Sequence, residues 1–338
     1  MARIAVDAMG GDFAPRAPIA GSLHALAELP APHDIELIGR SAIIEAELQA
    51  LMDGELSSLA HLRNRLHVVE APDVIEMTDR PSVALRGKTN SSMVVGIRRV
   101  ADGHAQAFVS AGNTGAQMAA SLVFLKLHAG LTRPAIGTIF PTALQPVLVL
   151  DSGANVDCSP EELVQFARIG AVYARDLLGR ARPAIGLLSI GEEAEKGNLA
   201  VKDAHQRLLR SGLNFIGNVE GRDIPKGQCD RGPIDVVVCD GFTGNVLLKF
   251  YESLAPMLIG MVSKVAGIDP RHALGSLKEL DADEHGGAPL LGVRGVSVIS
   301  HGRSSPRAMM NAILVGLRAH ESGMVDDIGQ ALTEGDVA

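Results

Sequence analysis

Ala107–Ala120, AFVSAGNTGAQMAA, is the stretch whose reading decides the fold. A short apolar run, Ala107 to Ser110, breaks into a polar turn bracketed by Gly112 and Gly115, and an alanine-rich apolar segment restarts near Thr114. That succession predicts a buried strand, a loop and a helix. In this order the helix points its free N–H groups back at the loop. Helix dipole and backbone donors then suit an anion such as phosphate, and the two glycines let it approach closely. Glycine turns of this kind are also ordinary punctuation, so the neighbouring segments give the stretch its meaning.

Toward the N-terminus, Arg3 to Asp7 is a short strand ending in AMGGD, and Pro15 and Pro18 flank the start of a helix that runs through Leu29. A strand at Ile35 to Ile38, a helix at Ala42 to Met52 and a strand at Leu66 to Val69 continue the β-α-β rhythm of a mainly parallel sheet. Pro72 to Lys88 has no clean period and carries Asp79, Arg80, Pro81 and Arg86, so it reads as a long functional surface loop. Asn90 reads as the cap of a helix with Met93, Ile97 and Val100 on one face and Arg98 and Arg99 away from it.

Toward the C-terminus a second set of strands begins with Ile136 to Phe140 and Val147 to Leu150. The expected division is an α/β lobe over 1–133 and a second over 134–338, sharing a sheet, with a helical tip at 246–285. Ser159-Pro160-Glu161-Glu162 is a helix start with cap, proline and capping-box glutamate in place. Leu163, Phe166, Gly170, Tyr173 and Leu177 then line one core face. Strands are expected at Ile185 to Ile190, Asn214 to Val219, Ile234 to Cys239 and Val296 to Ile299, the last followed by a long helix.

The composition fits an α/β protein. Hydrophobic residues make up 46% of the 338 and charged ones 21%, enough for a large core; aromatics are 3% and Trp is absent, so the interior is aliphatic. A net charge of -8 and scarce stacking surfaces argue against nucleic acid as a partner. Three scattered cysteines form neither a disulfide framework nor a zinc ribbon. With no basic-then-apolar leader and no apolar run of roughly 18 residues, a cytoplasmic location is expected.

Six strand ends open into small polar, glycine-bearing loops: AMGGD, SAGNTGA, DSGANVD, GEEAEKGN, DGFTGN and SHGRSS. Ligands in open α/β sheets sit at the carboxyl ends of strands, so loops this rich in Asn, Asp, Ser and Thr point to one shared site. A Walker loop, a strand-following G-x-G-x-x-G, H-E-x-x-H or C-x-x-C spacing, and G-x-S-x-G are all missing from the sequence. The expectation is therefore no cofactor and no metal.

In this order and spacing, AVDAMGGD, GKTNSSMVVGIRRVADG, SAGNTGA, LDSGANVD, EKGN, CDGFTGNVLLK and ISHGRSS resemble the PlsX family of acyl-carrier-protein:phosphate acyltransferases, from Ile4 to about Leu317. The resemblance implies acyl transfer from acyl carrier protein to inorganic phosphate for phospholipid synthesis. It implies a three-layer α/β/α fold with a mixed sheet and two intertwined lobes, like isocitrate and isopropylmalate dehydrogenases and phosphotransacetylase, in a homodimer. It further implies peripheral membrane attachment and delivery to a membrane acyl-phosphate:glycerol-3-phosphate acyltransferase. Phosphate is already a nucleophile near neutral pH, so such a site needs cations, amides and backbone N–H groups to hold it and to stabilise the oxyanion. Lys196, Asn198 and His301 are the catalytic candidates. Lys88, Asn90, Asn113, Thr114, Asp151, Asn155, Asp240, Thr243, Asn245 and Arg303 are the phosphate- or substrate-binding ones. Asp151 and Asp240 have a second reading close behind, as helix caps at strand ends.

Three rivals stand beside this reading: a phosphotransacetylase acting on short acyl-coenzyme A; a metal-dependent decarboxylating dehydrogenase, which lacks a convincing trio of metal carboxylates; and a non-catalytic scaffold for carrier protein at the membrane. In Asn245 to Val265, Leu247, Phe250, Tyr251, Leu254, Leu258, Met261, Val262 and Val265 follow helical spacing along one side, with Pro256 expected to kink or split the helix. That face reads as core or dimer contact near Leu254, and as lipid or dimer contact at Leu258, Met261 and Val262. The acidic stretch Glu279 to Glu284 is not expected to meet an acidic carrier protein, and Arg98, Arg99, Arg180 and Arg182 are the candidate basic contacts.

Overall fold

The computed structural model describes residues 1–267 and 286–334. In chain order it begins β1 (Arg3–Asp7), α1 (Arg16–Glu28), β2 (Asp34–Gly39), α2 (Ser41–Asp53) and, after a 3-10 segment at Ser57–Arg65, β3 (Leu66–Glu70). Then come α3 (Pro81–Gly87), α4 (Ser92–Ala101), β4 (Ala107–Ser110) and α5 (Thr114–Phe124). The short strands β5 (Ala135–Ile136), β6 (Thr138–Phe140) and β7 (Val147–Leu150) lead to α6 (Pro160–Leu178), β8 (Ile185–Leu188), α7 (Leu199–Leu208) and β9 (Phe215–Val219). A small ribbon of β10 (Gln228–Cys229) and β11 (Gly232–Pro233) precedes β12 (Val236–Val238) and α8 (Gly241–Ala266). The chain closes with β13 (Ala288–Leu291), β14 (Val296–Ile299), α9 (Pro306–Glu321) and α10 (Met324–Glu334).

Two units result, residues 1–127 with 285–325, and 128–284 with 326–338. This differs from a linear break at 133/134. The C-terminal strand β14 lies parallel to β4, and α9 packs on α1, so the end of the chain completes the unit that its beginning started. The acidic stretch Glu279 to Glu284 and the end of the expected 246–285 tip lie outside the described residues.

In the first unit the strand order is β3-β2-β1-β4-β14-β13, parallel except for β13 against β14. Helices α1 and α9 pack on each other and on the sheet, as do α4 and α5, giving an α/β/α unit. Ile4, Ile35, Leu37 and Phe108 are fully buried in its core. Ser91 caps α4 by accepting the Val94 N–H at 3.4 Å, one residue after the expected Asn90. The segment expected as a loop to Lys88 contains α3, which Pro81 opens by supplying a pre-set φ at a position that lacks a helical N–H partner anyway.

The second unit holds the order β6-β7-β12-β8-β9, parallel except for β6. Its α6 starts as the sequence predicts: Ser159 Oγ accepts the Glu162 N–H at 3.2 Å and Glu162 accepts the Ser159 N–H at 2.8 Å. Phe140, Val147, Val149, Val219, Ile234 and Val237 form its core, against which Leu247, Leu248 and Tyr251 of α8 pack. Tyr251 meets Phe140 edge-to-face at 5.2 Å and donates to the Pro141 carbonyl at 2.5 Å. The helix α8 is continuous across position 256, so Pro256 does not split it. Phe250, expected on the same side as Tyr251, instead stands 61% exposed.

Candidate functional site

In the first unit β1, β4 and β14 are parallel neighbours, so the loops AMGGD, SAGNTGA and SHGRSS leave the same sheet edge. They are tied together. Ser300 N–H donates to the Ser110 carbonyl at 2.8 Å, and Asp12 N–H to the Gly302 carbonyl at 2.7 Å. Beneath them is a buried carboxylate that reading the sequence had not singled out. Asp7 accepts the Ser110 hydroxyl at 2.7 Å and the Met9 N–H at 3.1 Å, while Ser110 Oγ accepts the Gly112 N–H at 3.0 Å. Burial pushes the Asp7 carboxyl above the usual aspartate range, against the pull of those donors. An acidic residue ending a buried run, as in AVDAMGGD, was its only signal.

Asn113 caps α5, with Oδ1 accepting the Ala116 N–H at 3.0 Å. Its amide donates toward the carbonyls of Glu76, Met77 and Asp79 at 3.2, 3.1 and 3.0 Å. Lys88 donates to the Val74 carbonyl at 2.7 Å and to Asp79 Oδ2 at 2.6 Å, and this lysine holds the Asp79 carboxyl below its ordinary range. These two candidates therefore meet on the 74–79 segment, and their polar groups are spent fastening it. Asn90, Thr114, His301 and Arg303 are exposed. His301 shapes its turn by accepting the Arg303 N–H on Nδ1 at 3.2 Å.

In the second unit β7, β12 and β8 are parallel neighbours, and the loops carrying Asp151, Asp240 and Lys196 follow their carboxyl ends. Asp151 is buried and fully engaged. Its Oδ1 accepts the N–H groups of Ile136, Gly153 and Ala154 at 3.0, 3.1 and 3.0 Å, and its Oδ2 accepts the Asn155 N–H and side-chain amide at 2.7 and 2.9 Å. Desolvation raises its pKa in spite of these donors. Asn155 spends its amide on Asp151 and on the Pro134 carbonyl at 2.8 Å. Both residues build the loop.

Asp240 is a helix cap, accepting the Thr243 N–H at 2.8 Å and its hydroxyl at 2.9 Å. The start of α8 presses on the Asp151 loop: Gly241 N–H donates to the Asn155 carbonyl at 2.8 Å, and a Cβ on Gly244 would lie 1.9 Å from the Asp151 carbonyl oxygen. Only glycine permits that approach. Asn245 is exposed, and Gly153 lies against its side chain.

Lys196 and Asn198 sit on the exposed surface of the GEEAEKGN loop. Among the described residues the Lys196 ammonium is in no ion pair, although Glu192, Glu193 and Glu195 are close in sequence. Glu192 instead meets Arg222 at 3.5 Å and Arg231 at 3.7 Å. Gly197, at φ +103°, turns the chain into α7, whose first turn Asn198 caps by accepting the Val201 N–H at 2.9 Å. Lys196 and Asn198 are thus two exposed residues that flank Gly197 at the start of a helix, residue types and a position suited to an anion.

Glu192, Glu220 and Asp223 bring carboxylate oxygens within 4.8 Å of one another. Arg222, Arg231 and Lys226 already balance that charge. Cys158 and Cys239 are poor nucleophiles: burial, with Asp151 nearby, pushes the Cys158 thiol up to about 12, and Cys239 is buried and raised well above its ordinary value.

The fold defines a class first. A phosphotransacetylase from Streptococcus pyogenes has TM-score 0.60 at 15% identity, and the EutD phosphotransacetylase from Staphylococcus aureus 0.59 at 15%; each match covers 95% of this chain and 94% of the other. At that identity the likeness concerns the fold alone. The sequence goes further, matching the family described as fatty acid synthesis protein over residues 2–326. It is 45% identical to the phosphate acyltransferase of Desulfitobacterium hafniense strain Y51, over 98% of both chains. It is 46% identical to that of Desulforamulus reducens over 98% of both, and 44% to that of Moorella thermoacetica over 97% and 95%. The chain belongs to this family, the PlsX phosphate acyltransferases, and is an acyl-transferring enzyme.

Proposed function

We propose that the protein transfers a fatty acyl group from acyl carrier protein to inorganic phosphate. The observation that supports this most directly is the solvent-facing set of Lys196, Asn198 and the α7 N-terminus, in a chain about 45% identical to phosphate acyltransferases over nearly its whole length. An oxygen of hydrogen phosphate attacks the thioester carbon; collapse of the tetrahedral oxyanion breaks the C–S bond, and the proton of the phosphate balances the departing thiolate. Lys196 offsets phosphate charge and the Asn198 amide donates to it. His301 and Arg303 are the cationic or donor candidates of the first unit, and Thr114, Asn90 and Asn245 the exposed polar ones. Lys88, Asn113, Asp151, Asn155, Asp240 and Thr243 support the loops from behind.

The test is to incubate the purified protein with long-chain acyl carrier protein and phosphate, trapping acyl phosphate with hydroxylamine. Phosphate-dependent acyl hydroxamate is the expected product, and its absence overturns the proposal. The phosphotransacetylase fold favours one second reading, transfer from a short acyl-coenzyme A. A parallel reaction with acetyl-coenzyme A decides between them.

Docking of the acidic carrier protein narrows to few basic residues. Arg99 is paired with the buried Glu36 and Arg180 with Asp235 at 3.2 Å, which leaves two exposed candidates, Arg182 and Arg98, the latter over the Phe124 ring at 4.7 Å. Arg182→Glu should raise the apparent KM for acyl carrier protein and weaken its salt dependence; an unchanged KM at low salt removes Arg182 from the docking surface. Homodimer formation, peripheral membrane contact and delivery of acyl phosphate to a membrane glycerol-3-phosphate acyltransferase complete the proposal. No helix among the described residues is long and apolar enough to cross a membrane.

A further inference from the structure

We infer that Asn218, set in place by His205, is a positioning residue for the loop that carries Lys196. This rests on the reading that Lys196 meets phosphate. The ladder between β8 and β9 slips beside Ile185, where Phe215 and Gly217 face consecutive residues. Such a slip reverses the facing of every later side chain in the strand, and Asn218 ends up fully buried. Its amide donates to the Glu193 carbonyl at 2.8 Å. That carbonyl also receives the Lys196 N–H at 3.0 Å. One acceptor thus fixes both ends of the Glu193–Lys196 turn.

The orientation of the amide is determined. A carbonyl can only accept, so the Asn218 nitrogen faces Glu193 and its oxygen faces His205 Nδ1, 2.9 Å away. His205 must therefore carry its proton on Nδ1. The ring is buried and stacks edge-on against Phe215 at 5.1 Å. The main-chain carbonyl of Asn218 accepts from the Arg231 guanidinium. Because His205 belongs to α7, and Asn198 caps α7, the links form a closed circuit: the Lys196 turn, Asn218, His205, the helix, its cap, and Gly197 back to Lys196. Both exposed groups proposed to meet phosphate are mounted on this ring, which reaches no solvent-facing atom of its own at Asn218.

Asn218→Asp keeps the shape and still accepts from His205, but places a carboxylate oxygen against the Glu193 carbonyl. The expected result is an apparent KM for phosphate raised about tenfold or more, with that for the acyl donor changed by less than about twofold. Amide hydrogen exchange over 191–198 should accelerate while that of β7 and β12 stays the same. His205→Asn retains a donor toward Asn218 and should stay near wild type, whereas His205→Leu should reproduce the phosphate defect. If Asn218→Asp does not fold, the two His205 variants decide. Unchanged phosphate KM and loop exchange in Asn218→Asp, or identical behaviour of the two His205 variants, overturns the inference. If the wild-type protein forms no phosphate-dependent product, the acyl-transfer reading falls, and the exchange comparison alone upholds or overturns the anchoring.

Discussion

At the scale of single residues, the Lys196–Asn198 loop separates chemistry from stability. The Lys196 ammonium makes no ion pair in its described surroundings and fills no core, so Lys196→Ala should lower turnover by roughly 10²–10³ while leaving thermal melting unchanged, as loss of one oxyanion-stabilising donor does elsewhere. Equal turnover at equal Tm would remove Lys196 from the site. Asn198 has two tasks on one side chain. Asn198→Asp keeps the cap and loses the donating amide, so it should hurt activity at wild-type stability, whereas Asn198→Ala should also cost about 1 kcal/mol of unfolding free energy. Asp7 carries a pH signature. Its native pKa lies above the ordinary 3.8, so the folded state binds the proton more tightly than the unfolded one. Its contribution is complete below 3.8, is lost as pH rises through the raised native value, and is flat above it. Chemical denaturation across that window should show wild type losing stability relative to Asp7→Asn as pH rises; a constant difference between the two would contradict the assignment. The caps at Ser159 and Asp240 were legible in the sequence because a cap is a local bond three residues long. Asn218 and Asp7 were not, since their partners lie on other elements.

At the scale of an element, α8 shows what helical spacing conveys. The period correctly places Leu247 and Tyr251 against the core, yet Val246 and Phe250 form a second, outward line at 53% and 61% exposure, so the helix is apolar on two sides. Spacing alone cannot say which apolar side meets the sheet. Farther along, Leu254 is half-buried, while Leu258, Met261 and Val262 are 44, 58 and 52% exposed. An apolar line of this kind suits a lipid interface or a second copy of the chain. Leu258→Glu and Met261→Glu should reduce co-sedimentation with anionic liposomes, with activity toward soluble substrate kept. Loss of self-association with lipid binding unchanged would assign the face to contact with a second copy of the chain instead.

At the scale of the whole molecule, the alternation of strands and helices was readable because each β-α-β step is a local pattern of period and punctuation. Membership of the units was not, because the return of β14 to β4 and of α9 to α1 spans most of the chain and leaves no periodic trace. A fragment ending at residue 133 lacks β14 and α9, so β4 keeps an unpaired edge and α1 loses its packing partner. Circular dichroism and one-dimensional NMR should find that fragment unfolded or aggregated, and residues 1–127 joined by a short linker to 286–325 folded. A folded 1–133 fragment would mean that the returning segment is dispensable. The same interleaving sets a schedule for biosynthesis. About 185 residues separate β4 from the strand that will cover it, and at ribosomal speeds of about 5–20 residues per second that is roughly 10–40 s. Throughout that interval the nascent chain presents the most buried strand of its first sheet as an open edge. Shielding that edge until the last strand arrives is work for a chaperone at the ribosome, and the demand should grow wherever translation slows between the two.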